Sequence, residues 1–454
     1  MGFEFFLFLT FLIALVTLGG IIIAYRRSHD SFHPLIYLGL MFFALYCYIP
    51  LDLLYSDLEG LRSFLSIDQL EYVQALNLLG ILSLYAGVLC GDGRINRLDY
   101  SGQLWSLPPV VCKRIDRAAI ILGVIGVVCY LYGIVSVGGI TAAYGRSYGG
   151  GWSTSGYARE AILLTLPALL WIMTTHVQRR MSKLDWGWIT LFTLPLLIQG
   201  LLGARRGPTA MILAAVFIGW HLVRLRRPSL SKLIAGSIAL GMLMLFLVTN
   251  RSQIYIGSDF NFERGLSDSS ITKAHSGNEF IYGGGVILDA DIRNRYFWGG
   301  RYITVFFIRP IPRQLWPSKY QDAADFFGIP NLETSNAGTG GTALADTVGW
   351  AGSVGAAPGI VADMWIEFWW YFVIALYAIG WVYGMSWRKV IISGGLWIPT
   401  YTILTALSVY LIMQTLEAMA FRFLFTSAAN WLIMYYGTRN FSTRKTLNRG
   451  NFLP

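Results

Sequence analysis

Charged residues are scarce in this sequence. They make up 13% of the 454 residues, where soluble domains carry about 25%. That scarcity, with 55% hydrophobic residues and a mean hydropathy of +0.53, excludes an ordinary soluble domain and predicts a polytopic membrane protein. Cysteine is nearly as rare. Cys47, Cys90, Cys112 and Cys129 stand singly, mostly in apolar runs, so neither a disulfide framework nor a thiolate metal site is expected. Histidine occurs five times. The opening stretch "MGFEFFLFLTFLIALVTLGGIIIAYRR" lacks a basic n-region and a small-residue cleavage site, so it reads as a first spanning helix. Neither an internal repeat nor a low-complexity tract is visible, and no P-loop or dinucleotide fingerprint sits between a strand and a helix.

A helix needs about 20 apolar residues to cross the hydrocarbon core. By that rule the expected fold is all-α, with eleven spans near 3–25, 33–54, 71–91, 118–137, 158–177, 186–204, 208–223, 233–249, 364–385, 390–414 and 421–437. Eight spans fill 1–249. One large loop follows at 250–362, expected to carry short interfacial helices. Three spans and a tail complete 363–454. With the N-terminus outside, the alternate connections hold 20 of the 35 Lys/Arg and 5 of the 25 Asp/Glu. Such a basic bias marks the cytoplasmic side. The net charge of +10 is thereby assigned to membrane topology rather than to nucleic-acid binding. The large loop, the N-terminus and the turn at 205–206 then face the exterior, and the C-terminus faces the cytoplasm.

Two basic clusters on that face stand out. "GARRG" (203–207) sets Arg205 and Arg206 before Pro208, a residue favoured at the first position of a helix. A helix N-terminus pointing outward favours an anion, and paired guanidiniums grip phosphate bidentately. Snorkelling to lipid headgroups is the plainer alternative, and less expected for two adjacent arginines in a tight turn. The second cluster is "FWGGRYITVFFIRPIPRQLWPSKY" (297–320). Its run from Tyr302 to Ile308 is too short to span, and with Trp298 and Trp316 near its edges it reads as interfacial. "RPIPR" reads either as a stiff polyproline-like stretch holding Arg309 and Arg313 or as a structural corner.

"IPRQLWPSK" (311–319), following "GGRY", resembles the signature of Wzy-type oligosaccharide repeat-unit polymerases, such as those of O-antigen and enterobacterial common antigen. "GARRG" resembles the small-small-Arg-small element of that family and aligns Arg206. "DTVGWAGSVGAAPGIVADMW" (346–365) resembles its glycine-rich return to the membrane, and Arg422 in "EAMAFRF" sits like an arginine near its last span. The resemblance implies a bacterial inner-membrane glycosyltransferase. Its donor and acceptor would be undecaprenyl-pyrophosphate-linked glycans on the periplasmic face, with a chain-length regulator and a flippase as companions. It also implies that Arg205, Arg206, Arg301, Arg309, Arg313, Lys319 and Arg422 bind substrate, with Arg206 and Arg313 stabilising the leaving pyrophosphate. No cofactor and no metal are expected.

A proton acceptor is also required. His275 in "ITKAHSGNEF" is the external histidine and ranks first, with Glu279 one turn on; Asp346, Asp363, Glu367 and Glu417 are rivals. "DAD" (289–291) has the D-x-D spacing of metal-dependent glycosyltransferases, but three residues carry little specificity. Tyr144, Tyr148, Trp152, Trp298 and Tyr302 could stack on sugar faces or serve as interfacial belt residues. Two other functions fit the same composition. An O-antigen ligase would share the donor chemistry. A transporter or flippase for lipid-linked glycans is expected to show repeats and midplane charges, and no charge falls in the middle of a proposed span.

Overall fold

The computed structural model describes residues 3–56, 58–62, 65–93, 108–147, 160–176, 180–224, 227–259, 261, 263, 265, 279–329 and 357–439. Among them the regular structure is helical, with no strand. The first half comprises α1 (Glu4–Ser28), α2 (Pro34–Phe43), α3 (Ile49–Ser56), α4 (Leu58–Arg62), α5 (Ile67–Gly91), α6 (Pro109–Ser136), α7 (Ile140–Tyr144), α8 (Thr165–Thr175), α9 (Lys183–Leu201), α10 (Arg206–Val223) and α11 (Leu230–Thr249). The second half comprises α12 (Glu279–Arg293), α13 (Gly300–Ile303), α14 (Lys319–Phe327), α15 (Gly359–Phe368), α16 (Phe372–Ser393), α17 (Trp397–Met413) and α18 (Leu416–Thr438). A π-turn, Ala44–Tyr48, joins α2 to α3, and a second, Thr304–Ile308, extends α13.

Local chemistry explains many of these ends. Glu4 opens α1 and Arg26 and Arg27 close it, as the helix dipole favours. Ser66 with Gln69 and Ser182 with Asp185 form capping boxes at the starts of α5 and α9, each satisfying amides that a helix start leaves open.

Among the described residues, eight helical runs are long and apolar enough to cross a membrane. Their outer surfaces remain apolar: Phe5, Phe8, Phe11, Leu15 and Leu18 of α1 and Val128, Leu131 and Val135 of α6 are exposed. Only lipid suits such a surface, and the chain is a multi-pass membrane protein. At two further expected spans, 158–177 and 390–414, the described residues form the shorter apolar helices Ala161–Thr175 and Trp397–Ile412, and α18 is not among the eight. Every residue of α8 is buried, which makes it an interior helix. The expected span 364–385 is not one helix. It breaks at Trp369, whose φ of 50° and ψ of −137° end α15, and α16 starts after the turn Trp369–Tyr371. α15 is buried on all sides, from Gly359 to Glu367, among α5, α12, α16 and α17.

The tightest helix pair is α5 with α16. A Cβ on Gly87 or Gly91 would collide with the carbonyls of Tyr377 and Trp381, and one on Gly380 or Gly384 with those of Leu84 and Val88. "GVLCG" and "GWVYG" thus form two facing small-xxx-small faces, which let membrane helices touch backbone to backbone. α12 is likewise no surface helix. Phe280, Ile281, Tyr282, Val286 and Ile287 are buried in the same core as α1 and α5, so this part of the large loop is built into the bundle.

Polar contacts sort the helix ends into two groups. At one end, Asp30 lies buried against Arg227 at 2.8 Å and accepts from the indole of Trp387 at 3.0 Å. Beside it His33 meets Asp92 at 3.2 Å, Tyr401 donates to the Phe32 carbonyl and Ser31 to the Pro228 carbonyl. At the other end the arginine turn, the large loop and the starts of α16 and α18 come together.

Candidate active site at the loop end of the bundle

The turn between α9 and α10 is tightened by Ala204 at φ +46° and closed by a hydrogen bond from the Arg205 amide to the Gly200 carbonyl at 2.7 Å. Arg205 is the extended N-cap residue. The helix starts at Arg206, two residues before Pro208, where sequence placed its beginning. The two arginines are therefore the cap and first residue of α10, at the positive end of its dipole. Glycine is required next: a Cβ on Gly207 would lie 2.5 Å from the Tyr410 hydroxyl. Tyr410 of α17 thus closes on the turn. The guanidinium of Arg422 lies 4.4 Å over its ring. Arg422 is steadied by the Ala418 carbonyl at 2.6 Å.

Arg309 joins from the loop. It pairs with Glu160 at 3.1 Å, and its guanidinium lies 4.7 Å over the ring of Phe421, the neighbour of Arg422. "RPIPR" is a corner rather than a polyproline stretch. Arg309 itself is α-helical, and turns follow from Ile311 to Ile308 and from Leu315 to Pro312, whereas a polyproline helix has no internal hydrogen bonds. Lys319 holds that corner. It is 2% exposed, and its ammonium donates to the carbonyls of Ile308 at 3.2 Å, Arg309 at 2.8 Å and Ile311. Burial, with Arg313 and Arg309 nearby, lowers its pKa. Three donors are committed to three carbonyls, so Lys319 is a clasp of the loop. Arg313 stands at the exposed edge, its guanidinium 5.3 Å from the Tyr320 ring.

Arg301 differs from the other arginines in being buried. It forms ion pairs with Asp363 and Glu367 of α15. Burial works against the cation, but the two carboxylates outweigh it and hold the pKa well above its usual value. Asp363 also accepts from Tyr302 at 3.1 Å and from the Leu416 amide at 2.9 Å; Glu367 accepts from the Gly299 amide at 2.7 Å. α15, the large loop and the start of α18 are thus tied through one guanidinium. A third carboxyl has no such partner. Glu417 is 1% exposed, and both its oxygens lack a hydrogen bond among the described residues. It lies in the first turn of α18, four residues before the expected span at 421. Burial, with Asp363 and Glu367 adding and Arg301 opposing, pushes its pKa up to about 8. One cation cannot neutralise three buried carboxylates, so the third keeps its proton at neutral pH.

Of the expected site residues, Arg422 lies over Tyr410, which closes on the turn carrying Arg205 and Arg206; Arg309 lies over Phe421, the neighbour of Arg422, and Arg301 is paired with Asp363 and Glu367. Lys319 serves the loop, and Arg313 lies at its edge. His275, Asp346, Tyr148 and Trp152 lie outside the described residues. Tyr144 is fully buried and bonded to Tyr130 at 3.0 Å, so it presents no face to a sugar. Tyr302 is stacked between Phe306 and Phe368. The D-x-D aspartates have other partners: Asp289 pairs with Arg293 at 2.9 Å, and Asp291 accepts from Tyr296 at 2.7 Å and Trp365 at 2.9 Å. Among the described residues, no three His, Cys, Asp or Glu side chains are grouped to hold a metal ion. Sequence reading missed Tyr410 and Glu160, which carry no local motif. No family model, curated protein or solved structure matches the chain.

Proposed function

We propose that this chain is a membrane glycosyltransferase that polymerises undecaprenyl-pyrophosphate-linked oligosaccharide repeat units on the outer face of the bacterial inner membrane. The observation that carries the reading is the packing of Tyr410 between the arginine turn at Gly207 and the Arg422 guanidinium, beside a helix start at Arg206 and with Arg309 over the neighbouring Phe421. A fixed set of cations at a helix N-terminus suits a pyrophosphate. In the reaction an acceptor hydroxyl oxygen bonds to the anomeric carbon of the donor. The bond from that carbon to the pyrophosphate oxygen breaks, and its electron pair leaves with the phosphate. Arginines placed where that charge grows lower the barrier, and they need no metal for it. The hydroxyl proton passes to a carboxylate or to His275. Glu417 can take that proton once it is ionised, which its pKa of about 8 places at the upper edge of the working range.

The test is complementation of a polymerase-null strain, read as surface glycan on a gel. The reading expects a ladder of repeats. A single-repeat band at normal protein abundance would overturn it, and transfer of preformed polymer onto lipid A core in a ligase-null strain would move the chain to the ligases.

A further inference from the structure

A cavity of about 370 Å³ opens at the loop end, lined by Asn294, Arg295, Tyr296, Trp298 and Trp369. Its walls are aromatic. Tyr296 and Trp369 lie 5.9 Å apart, Tyr296 and Trp298 6.4 Å, and both tryptophans are largely exposed. Its rim is polar, with Asn294 exposed and Arg295 anchored to the Gly328 carbonyl.

The backbone around it is unusual. Five non-glycine residues among those described have positive φ, and three of them, Asn294, Trp298 and Trp369, line this cavity. A bulky side chain in that region is strained and persists only where its surroundings impose it. Here they do. The Phe297 and Trp298 amides donate to the carbonyls of Ile366 and Glu367 at 3.0 and 2.8 Å, and Tyr296 is fixed by Asp291. Glycine would meet the backbone need at both tryptophan positions without strain. The indoles must therefore have a use apart from the turn.

We infer that this cavity is a saccharide subsite, in which the indoles of Trp298 and Trp369 stack on the C–H faces of a pyranose while Asn294 and Arg295 bond its hydroxyls. The chemistry matches on both counts. A pyranose has an apolar face and a polar edge, and a binding cleft combines apolar walls with a few placed polar groups. The subsite is coupled to the buried cluster through one residue: Glu367 holds the Trp298 amide by its carbonyl, and Gly299 and Arg301 by its carboxylate. The inference deepens the proposed function and rests on it for the sugar's being part of a lipid-linked repeat unit.

Full-length protein in phosphatidylcholine nanodiscs would be examined by saturation-transfer difference NMR. The probes are methyl glucoside, methyl N-acetylglucosaminide and methyl glucuronide, with empty nanodiscs as the blank. At least one sugar should receive saturation at its ring C–H protons. Trp298→Gly and Trp369→Gly each remove an indole while relieving the strained φ, so they keep or raise the Tm. Each should weaken binding about tenfold, the worth of one aromatic contact. Arg206→Ala should leave sugar binding intact while lowering polymer formation by one to two orders of magnitude. No transfer to any of the three sugars, or transfer unchanged in both glycine variants, would overturn the subsite and leave the tryptophans as an interface anchor. Sugar binding without polymer in the null strain would refute the polymerase reading and leave the subsite standing.

Discussion

Arg206 and Lys319 show how far residue type alone predicts a role. Both are cations in glycine- or proline-marked turns, yet one heads a helix beside other arginines and the other is committed to three carbonyls of its own loop. Arg206→Ala, at equal membrane abundance, is expected to lower polymer formation by one to two orders of magnitude. That follows from losing charge-assisted contacts of roughly 1.5–3 kcal/mol each. Arg206→Lys should recover little of it, because lysine keeps the charge and loses the planar fork. Wild-type ladders from Arg206→Ala would reduce the pair to a headgroup anchor. Glu417 makes a pH prediction. Its pKa rises from the ordinary 4.5 to about 8 on folding, so the folded state binds a proton that the unfolded state releases in that window. The stabilisation is full below pH 4.5 and is lost as pH rises through 8, at about 1.4 kcal/mol per unit. Glu417→Gln should flatten the fall in Tm between pH 5 and 8. If Glu417 is the proton acceptor, the same change removes the rise in turnover through pH 8. An unaltered Tm profile would show that the carboxyl finds a partner.

Among the elements, the long apolar runs were legible because a membrane asks for one simple thing, length with hydrophobicity. Less legible was what interrupts them. The run 364–385 reads as a single span, since nothing in "WIEFWWYF" resembles a helix breaker; the break at Trp369 comes from tertiary contacts of Phe297 and Trp298 with the last carbonyls of α15. Asp363 and Glu367 could be named as titratable groups. Their partner Arg301, 62 and 66 positions away in the chain, could not be paired with them without the fold. The glycine spacing in "GVLCG" and "GWVYG" was open to inspection and is the largest missed signal. It supports a further prediction. Gly87→Ala or Gly384→Ala places a methyl group inside a facing backbone and should cost about 1–3 kcal/mol as α5 and α16 are forced apart, seen as a lower Tm in detergent. Gly236→Ala in α11, with open space around it, is the matched control. Equal Tm values for the two classes of variant would mean that the α5–α16 contact yields readily.

For the molecule as a whole, the charge bias of the sequence sets the expected orientation, with the end built around Asp30 toward the cytoplasm. Arg227, Arg388 and Lys389 belong to the end built around Asp30, and the arginine turn and large loop to the other. Reporter fusions after Arg27 and after Thr438 are expected to report cytoplasm, and one at Lys319 the exterior. A cytoplasmic signal at Lys319 would turn the arginine cluster inward and remove the proposed substrate from its reach. The Asp30 junction also bears on how this end of the bundle can move. Four connections meet there: the α1–α2 turn through Asp30 and His33, the end of α5 through Asp92, the approach to α11 through Arg227, and the end of α16 through Trp387. Parting these four connections would separate Asp30 from Arg227 and strand a bare buried charge, so any motion of the bundle that keeps this end intact must hinge elsewhere.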